Sequence, residues 1–228
     1  MEQHKSELLI DQNNIPTLDL GYEEYFKRAY KFALDNYKDT IDEIQNTEFK
    51  YLQSETFFSQ YIWTVYTSGF NAKIVSNMWP KLVLVYNKLY HCSYLENDTI
   101  KSSKDTIRSQ ALEICNNKRK VDAIIQMSDI LGEVLKTGKW LEYKNNNLDT
   151  PDKLEKLPFI GKITKNHLAR NIGILNVVKE DLHLVRMGNH WGFKTGLELC
   201  KKIQETYNLE LGIIGLIYWY SASQFGTK

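Results

Sequence analysis

Leu157-Pro158-Phe159-Ile160-Gly161-Lys162-Ile163-Thr164-Lys165 turns the chain back on itself between two short helical segments. Thr150-Pro151 signals the start of the first, with the hydroxyl as N-cap and the proline at the first helical position, where its missing N–H is tolerated. Leu157-Pro158 ends that segment, Phe159-Ile160-Gly161 reverses direction, and Lys162 to Asn171 begins the next helix. Gly161 lets backbone come close to a partner, and the free N–H groups of the new helix start favour an anion such as a phosphate. A helix-turn-helix corner with glycine for steric reasons would use the same residues, so the hairpin alone does not decide a function.

Outward from this corner almost every stretch has the helical period. Glu23 to Ile44 places Tyr25, Phe26, Tyr30, Phe32, Ala33, Tyr37 and Ile41 near helical spacing. Thr56 to Tyr66 is so apolar that it reads as a helix buried on most sides. Thr67-Ser68-Gly69-Phe70 interrupts it, and a helix from Asn71 ends near Pro80, followed by further helices over Lys81–Tyr90, Thr106–Asn116 and Lys120–Leu135, the last stopping around Gly138. Tyr143 to Asp149, with its asparagine run, reads as a polar loop. No stretch alternates convincingly, so the fold class is all-α.

The 228 residues are 43% hydrophobic and 25% charged, enough for a real core. No apolar run approaches the roughly 20 residues of a membrane span, and Met1-Glu2-Gln3-His4-Lys5-Ser6-Glu7 is too polar for a secretory signal, so the expectation is a cytoplasmic protein without a membrane partner. Cys92, Cys115 and Cys200 are odd in number and far apart, which suits reduced thiols and not a zinc or iron–sulfur site. The formal net charge is only +1, but it is sorted along the chain: residues 156 to 194 carry seven lysines and arginines against Glu180 and Asp181, while the first sixty residues are acidic. A local basic patch is what a polyanion senses, although a solvated basic face produces the same sorting.

The second informative string is Val178-Lys179-Glu180-Asp181-Leu182-His183-Leu184-Val185-Arg186. Ile172, Ile174, Leu175, Val177 and Val178 bury the approach to Asp181, and Leu182, Leu184 and Val185 continue beyond it. The acid therefore sits at the edge of a core at a helix start, where an N-cap is its simplest role. His183 and Arg186 have equally plain readings, as a hydrogen-bonded histidine and a solvated arginine.

Taken together, the two strings resemble the helix-hairpin-helix, Gly/Pro-loop, Asp superfamily of DNA glycosylases, the endonuclease III group. Its hairpin L-P-G-x-G-x-K matches Leu157 to Ile163, and its V-D-x-H-x-x-R string matches Glu180 to Arg186. The separation of Ile163 from Asp181 is the family's separation of lysine and aspartate. Asn117-Lys118-Arg119-Lys120-Val121-Asp122-Ala123-Ile124 is similar to the family's N-x-R-K-A-x-x-I helix, and Phe57 to Met78 to its long buried helix and intercalating loop. The likeness covers roughly residues 50 to 225. It departs at Phe159, where the first hairpin glycine is expected, and in Val178-Lys179-Glu180, which lacks the family's usual proline ahead of the aspartate. The four-cysteine iron–sulfur tail is absent, and Ile163 stands where bifunctional members carry a Schiff-base lysine.

The resemblance implies a two-lobed helical fold with the active site between lobes, residues 1–55 and 190–228 forming one and 56–189 the other, with the hairpin at about 151–172. It implies a monofunctional glycosylase that flips a damaged or modified base out of duplex DNA and hydrolyses its glycosidic bond. Asp181 would be catalytic, and Phe159, Gly161, Lys162, Lys165, His183 and Arg186 would contact the DNA. Trp63, Tyr66, Phe70, Asn71 and Trp219 are candidates for the base pocket or for a wedge filling the vacated stack. No organic or redox cofactor is implied, only a monovalent cation on hairpin carbonyls, and the protein would act as a nucleoid-associated monomer. Two alternatives stay open: a helix-hairpin-helix DNA-binding protein without chemistry, and a bifunctional glycosylase/lyase using Lys162 or Lys165.

Overall fold

A computed structural model describes residues 9–92 and 98–227. Among them are eleven α-helices and no strand: α1 (Tyr22–Asn46), α2 (Ser54–Thr67), α3 (Ala72–Cys92), α4 (Asp98–Ile114), α5 (Lys118–Lys136), α6 (Trp140–Asn147), α7 (Pro151–Leu154), α8 (Thr164–Asn171), α9 (Leu182–His190), α10 (Gly196–Tyr207) and α11 (Leu211–Phe225). The all-α expectation holds. No helix among the described residues is long and apolar enough to cross a membrane.

The chain divides into two compact units. The terminal unit combines the residues up to Thr47 with those from Gly173 onward, and the central unit is the continuous segment Glu48–Ile172. The sequence places residues 173–189 with the central segment and 48–55 with the terminal one. Contacts assign them the other way, because Val178, Leu184 and Met187 pack in one core with Tyr25, Phe26, Ala29 and Ala33 of α1 and Ile213, Ile214, Ile217 and Tyr218 of α11.

In the terminal unit α1 packs along α11, whose apolar residues are buried on most sides. The regular geometry of α1 is interrupted at Tyr37 (φ −137°, ψ 19°), where the Tyr37 ring stacks on Tyr220 with centroids 3.9 Å apart and planes 3° from parallel. Trp191 closes the other end, donating its indole N–H to the Leu20 carbonyl at 2.9 Å.

In the central unit α2 is the axis. Phe57, Tyr61, Val65 and Tyr66 are fully buried between α3, α5 and α8. Two expectations fail here. The helix from residue 71 does not stop at Pro80 but runs on as α3 to Cys92, because Val75, Leu82, Val85, Tyr86 and Leu89 form one continuous buried stripe. That burial outweighs the bond that proline cannot donate to the Ser76 carbonyl. The asparagine-rich stretch expected to be a loop is α6, pinned by Trp140 against Phe57 and by Lys144, whose ammonium donates to the carbonyls of Phe49 and Lys50 at 3.3 and 2.7 Å. At α7 the proline does occupy the first turn, but Thr150 makes no side-chain cap bond.

Candidate functional site

The hairpin lies in the central unit. The ladder of turns through Leu157 ends with Ile160 N–H donating to the Leu157 carbonyl at 3.1 Å. Phe159 adopts φ +64°, a left-handed conformation rare for a residue with a bulky side chain. The backbone at this position thus keeps the shape that a glycine would take, although the residue type differs. Tyr61 fixes the turn from α2 by donating its hydroxyl to the Pro158 carbonyl at 2.6 Å. Gly161 N–H donates to Thr164 Oγ1 at 2.7 Å, and the Gly161 carbonyl accepts from Lys165 N–H at 2.9 Å and from the Thr164 hydroxyl at 3.2 Å. The carbonyls of Leu157, Pro158 and Gly161 are therefore already hydrogen-bonded within the unit, and a cation there would have to share them.

The basic residues around the hairpin differ sharply in availability. Lys162 is exposed. Lys165 bridges α7 and α8, its ammonium 2.7 Å from both Asp152 Oδ1 and Glu155 Oε2, and the Asp152 and Glu155 carboxylates hold its pKa above the usual lysine value. Arg170 is buried and bonded to Asn171 Oδ1, which lies beside it on α8. The local excess of positive charge read from residues 156–194 is thus partly consumed inside the fold. Ile163, at the lysine position of the resembled family, is half exposed.

One lysine of the motif at 117–124, to which the sequence assigns no role, sits beneath the hairpin. Lys120 is 3% exposed, and its ammonium donates to the carbonyls of Val65, Tyr66 and Ser68 at 2.7, 2.8 and 2.5 Å. These are the last carbonyls of α2 and its C-cap, where a cation also meets the negative end of the helix dipole. The same ammonium lies 4.4 Å from the Phe70 ring centroid and 5.5 Å from that of Phe159, which Arg119 approaches at 5.8 Å. Burial pushes the Lys120 pKa down to about 8, while the carbonyls favour the charged form. Phe70 is partly exposed on the loop before α3, and Asn71 beside it accepts Lys73 N–H on its side-chain oxygen at 2.8 Å. Tyr66, a candidate for the base pocket, is fully buried with its hydroxyl bonded to Tyr86 at 2.8 Å, so it presents no face to a ligand. Trp63 is half-buried, edge-on to Trp79.

In the terminal unit Asp181 is the N-cap of α9. Its Oδ1 accepts the N–H groups of His183 and Leu184 at 3.1 and 3.2 Å. Its Oδ2 lies 3.6 Å from the Lys179 ammonium. Asp181 N–H also donates to the Lys179 carbonyl at 2.9 Å, and this three-residue turn brings the two charges together. The Lys179 ammonium also lies 5.8 Å from the Trp219 ring centroid, so carboxylate, ammonium and indole form one partly exposed cluster. His183 shares a 3.2 Å hydrogen bond with Thr227, and Arg186 is exposed. Glu180, immediately before Asp181, accepts Leu197 N–H in the first turn of α10 on Oε1 at 2.9 Å.

No protein-family model, curated protein or solved structure matches the chain.

Proposed function

We propose that the protein is a monofunctional DNA N-glycosylase that hydrolyses the bond between deoxyribose and a damaged or modified base. The observation that carries the reading is the division of labour within the Asp181 carboxylate. One oxygen is fixed by two N–H groups of α9, which leaves the other held in a defined direction beside Lys179 and Trp219. A carboxylate so anchored stabilises positive charge on C1′ as the C1′–N bond breaks, and it accepts the proton of the water that adds to C1′. The departing base takes the bonding electrons and, relayed through solvent, the proton that the carboxylate collected from the water, while the sugar keeps the hydroxyl as an abasic site. The exposed Lys162 next to the tight turn at Gly161 supplies a backbone phosphate contact, and the partly exposed Phe70 with the exposed Asn71 offers side chains suited to filling the vacated stack.

Free-base release, followed by mass spectrometry over a panel of lesion-bearing and naturally modified duplexes, tests this reading. Release of one base class, abolished in Asp181→Asn, is the expected result. Release from none, with duplex binding intact, favours the second reading, a helix-hairpin-helix DNA-binding protein without chemistry. That reading has its own support in Asp181, since a helix cap paired with a neighbouring lysine is a complete structural role.

A further inference from the structure

We propose that Lys120 is a positioning residue that clasps the loop 68–71 and the hairpin 158–161 into one preorganised surface. The three carbonyls of Val65, Tyr66 and Ser68 use all three of its donors, which fixes the ammonium at the end of α2 where the loop begins. A helix cap needs nothing more. Yet the ammonium is also sandwiched toward two aromatic rings, Phe70 from the loop and Phe159 from the hairpin, at distances at which a ring face attracts a cation.

Both rings belong to segments whose backbone needs holding. Gly69 before Phe70 has φ +75°, and Phe159 itself has φ +64°, a strained conformation that persists only when its surroundings enforce it. Arg119 adds a second cation near the Phe159 ring, and Tyr61 holds the adjoining Pro158 carbonyl. A methionine would fill the same space without the penalty of burying a charge. Only the charged group can serve the carbonyls and the two ring faces together, which gives its burial a purpose. Two loops separated by nearly ninety residues of sequence thereby share a single anchor.

Backbone hydrogen exchange on the full chain tests the clasp without assuming any ligand. Lys120→Met should raise exchange in both 66–71 and 158–161 by at least about tenfold, and Lys120→Arg should restore part of the protection in both. Phe159→Gly removes a ring without adding backbone strain, and it should raise exchange in 66–71, a segment it does not alter. Faster exchange confined to 66–69 in Lys120→Met would reduce Lys120 to a helix cap and overturn the proposal. If Lys120→Met does not fold, unchanged exchange at 66–71 in Phe159→Gly overturns it equally. A second arm rests on the glycosylase reading: duplex affinity should fall about tenfold in Lys120→Met with an unchanged salt slope, because no phosphate contact is lost. Absence of duplex binding by the wild type would refute that reading and leave the exchange result standing.

Discussion

Glu180 Oε1 accepts the backbone N–H of Leu197, so the residue immediately before Asp181 reaches the first turn of the helix after next. Asp181 in turn caps α9. Two adjacent acids therefore serve the free N–H groups of two different helices, with Thr195 as the N-cap proper of α10.

That junction is tight. A Cβ on Gly196, at the start of α10, would lie 2.6 Å from Leu184 Cγ, 2.9 Å from its Cδ2 and 3.3 Å from Glu180 Oε1. Gly196→Ala should lower stability by about 1–3 kcal/mol, the usual range for overpacking a core. Thermal unfolding should show a drop of about 2–4 °C per kcal/mol for a chain of this size. An unchanged midpoint would mean that the α9–α10 junction yields freely.

Asparagine caps helices as well as aspartate, so Asp181→Asn keeps the bonds to His183 and Leu184. Its melting temperature and duplex affinity should stay close to wild type, while single-turnover base release should fall on the order of a hundredfold or more. Release at the wild-type rate would remove Asp181 from the chemistry.

Lys162 and Lys165 should separate in a salt titration of duplex binding. Lys162→Glu should weaken binding to every duplex and reduce the slope of log K against log salt by about one. Lys165 is held by Asp152 and Glu155, so Lys165→Ala should leave the slope alone and show itself in thermal stability instead. Equal slopes for wild type and Lys162→Glu would take the hairpin out of the interface.

Ile163 is half exposed, so a lysine at this position can be accommodated without burying its charge. The wild type should form no adduct with DNA under borohydride, and strands should break only after alkali treatment of the abasic product, because no amine occupies that site. Ile163→Lys should form a trapped adduct. A robust wild-type adduct that disappears in Lys162→Ala would establish a lyase instead.

The buried ammonium of Lys120 sets a pH dependence with a definite sign. Its folded pKa, about 8, lies below its ordinary value of 10.5. Between those limits the native state has given up a proton that the unfolded chain still binds, so stability rises with pH there relative to Lys120→Met. The slope difference is at most about 1.4 kcal/mol per pH unit, measurable by denaturant unfolding between about pH 7.5 and 10. Parallel pH profiles for the two proteins would contradict it.

The helical class and the cap at Asp181 were legible because both depend on local pattern: a 3.6-residue apolar period, and an acid just before a new apolar run. The hairpin was legible as a reversal, whereas the left-handed φ of Phe159 was not, since a bulky residue rarely adopts it. What stayed hidden depends on contacts distant in sequence. Nothing local distinguishes Lys144, buried on backbone carbonyls, from a solvated lysine, and the motif that includes Lys120 carries no sign that its ammonium is buried on the carbonyls of α2. Lys165 reads as available because Asp152 and Glu155 meet it only after the turn has formed. The pairing of Lys179 with Asp181 depends on the turn that closes between them, and the indole of Trp219 comes from far later in the sequence.

The pairing of α1 with α11 in the terminal unit also has a bearing on synthesis. The central segment can assemble from neighbours as it emerges, whereas α1 keeps Tyr25, Phe26, Ala29 and Ala33 without their permanent cover until α11 has followed it off the ribosome. Until then the nascent protein carries a sticky helix awaiting its mate. Their docking closes a loop of more than 160 residues between Asn46 and Leu211, which makes it the natural point of failure for chains that stall before α11.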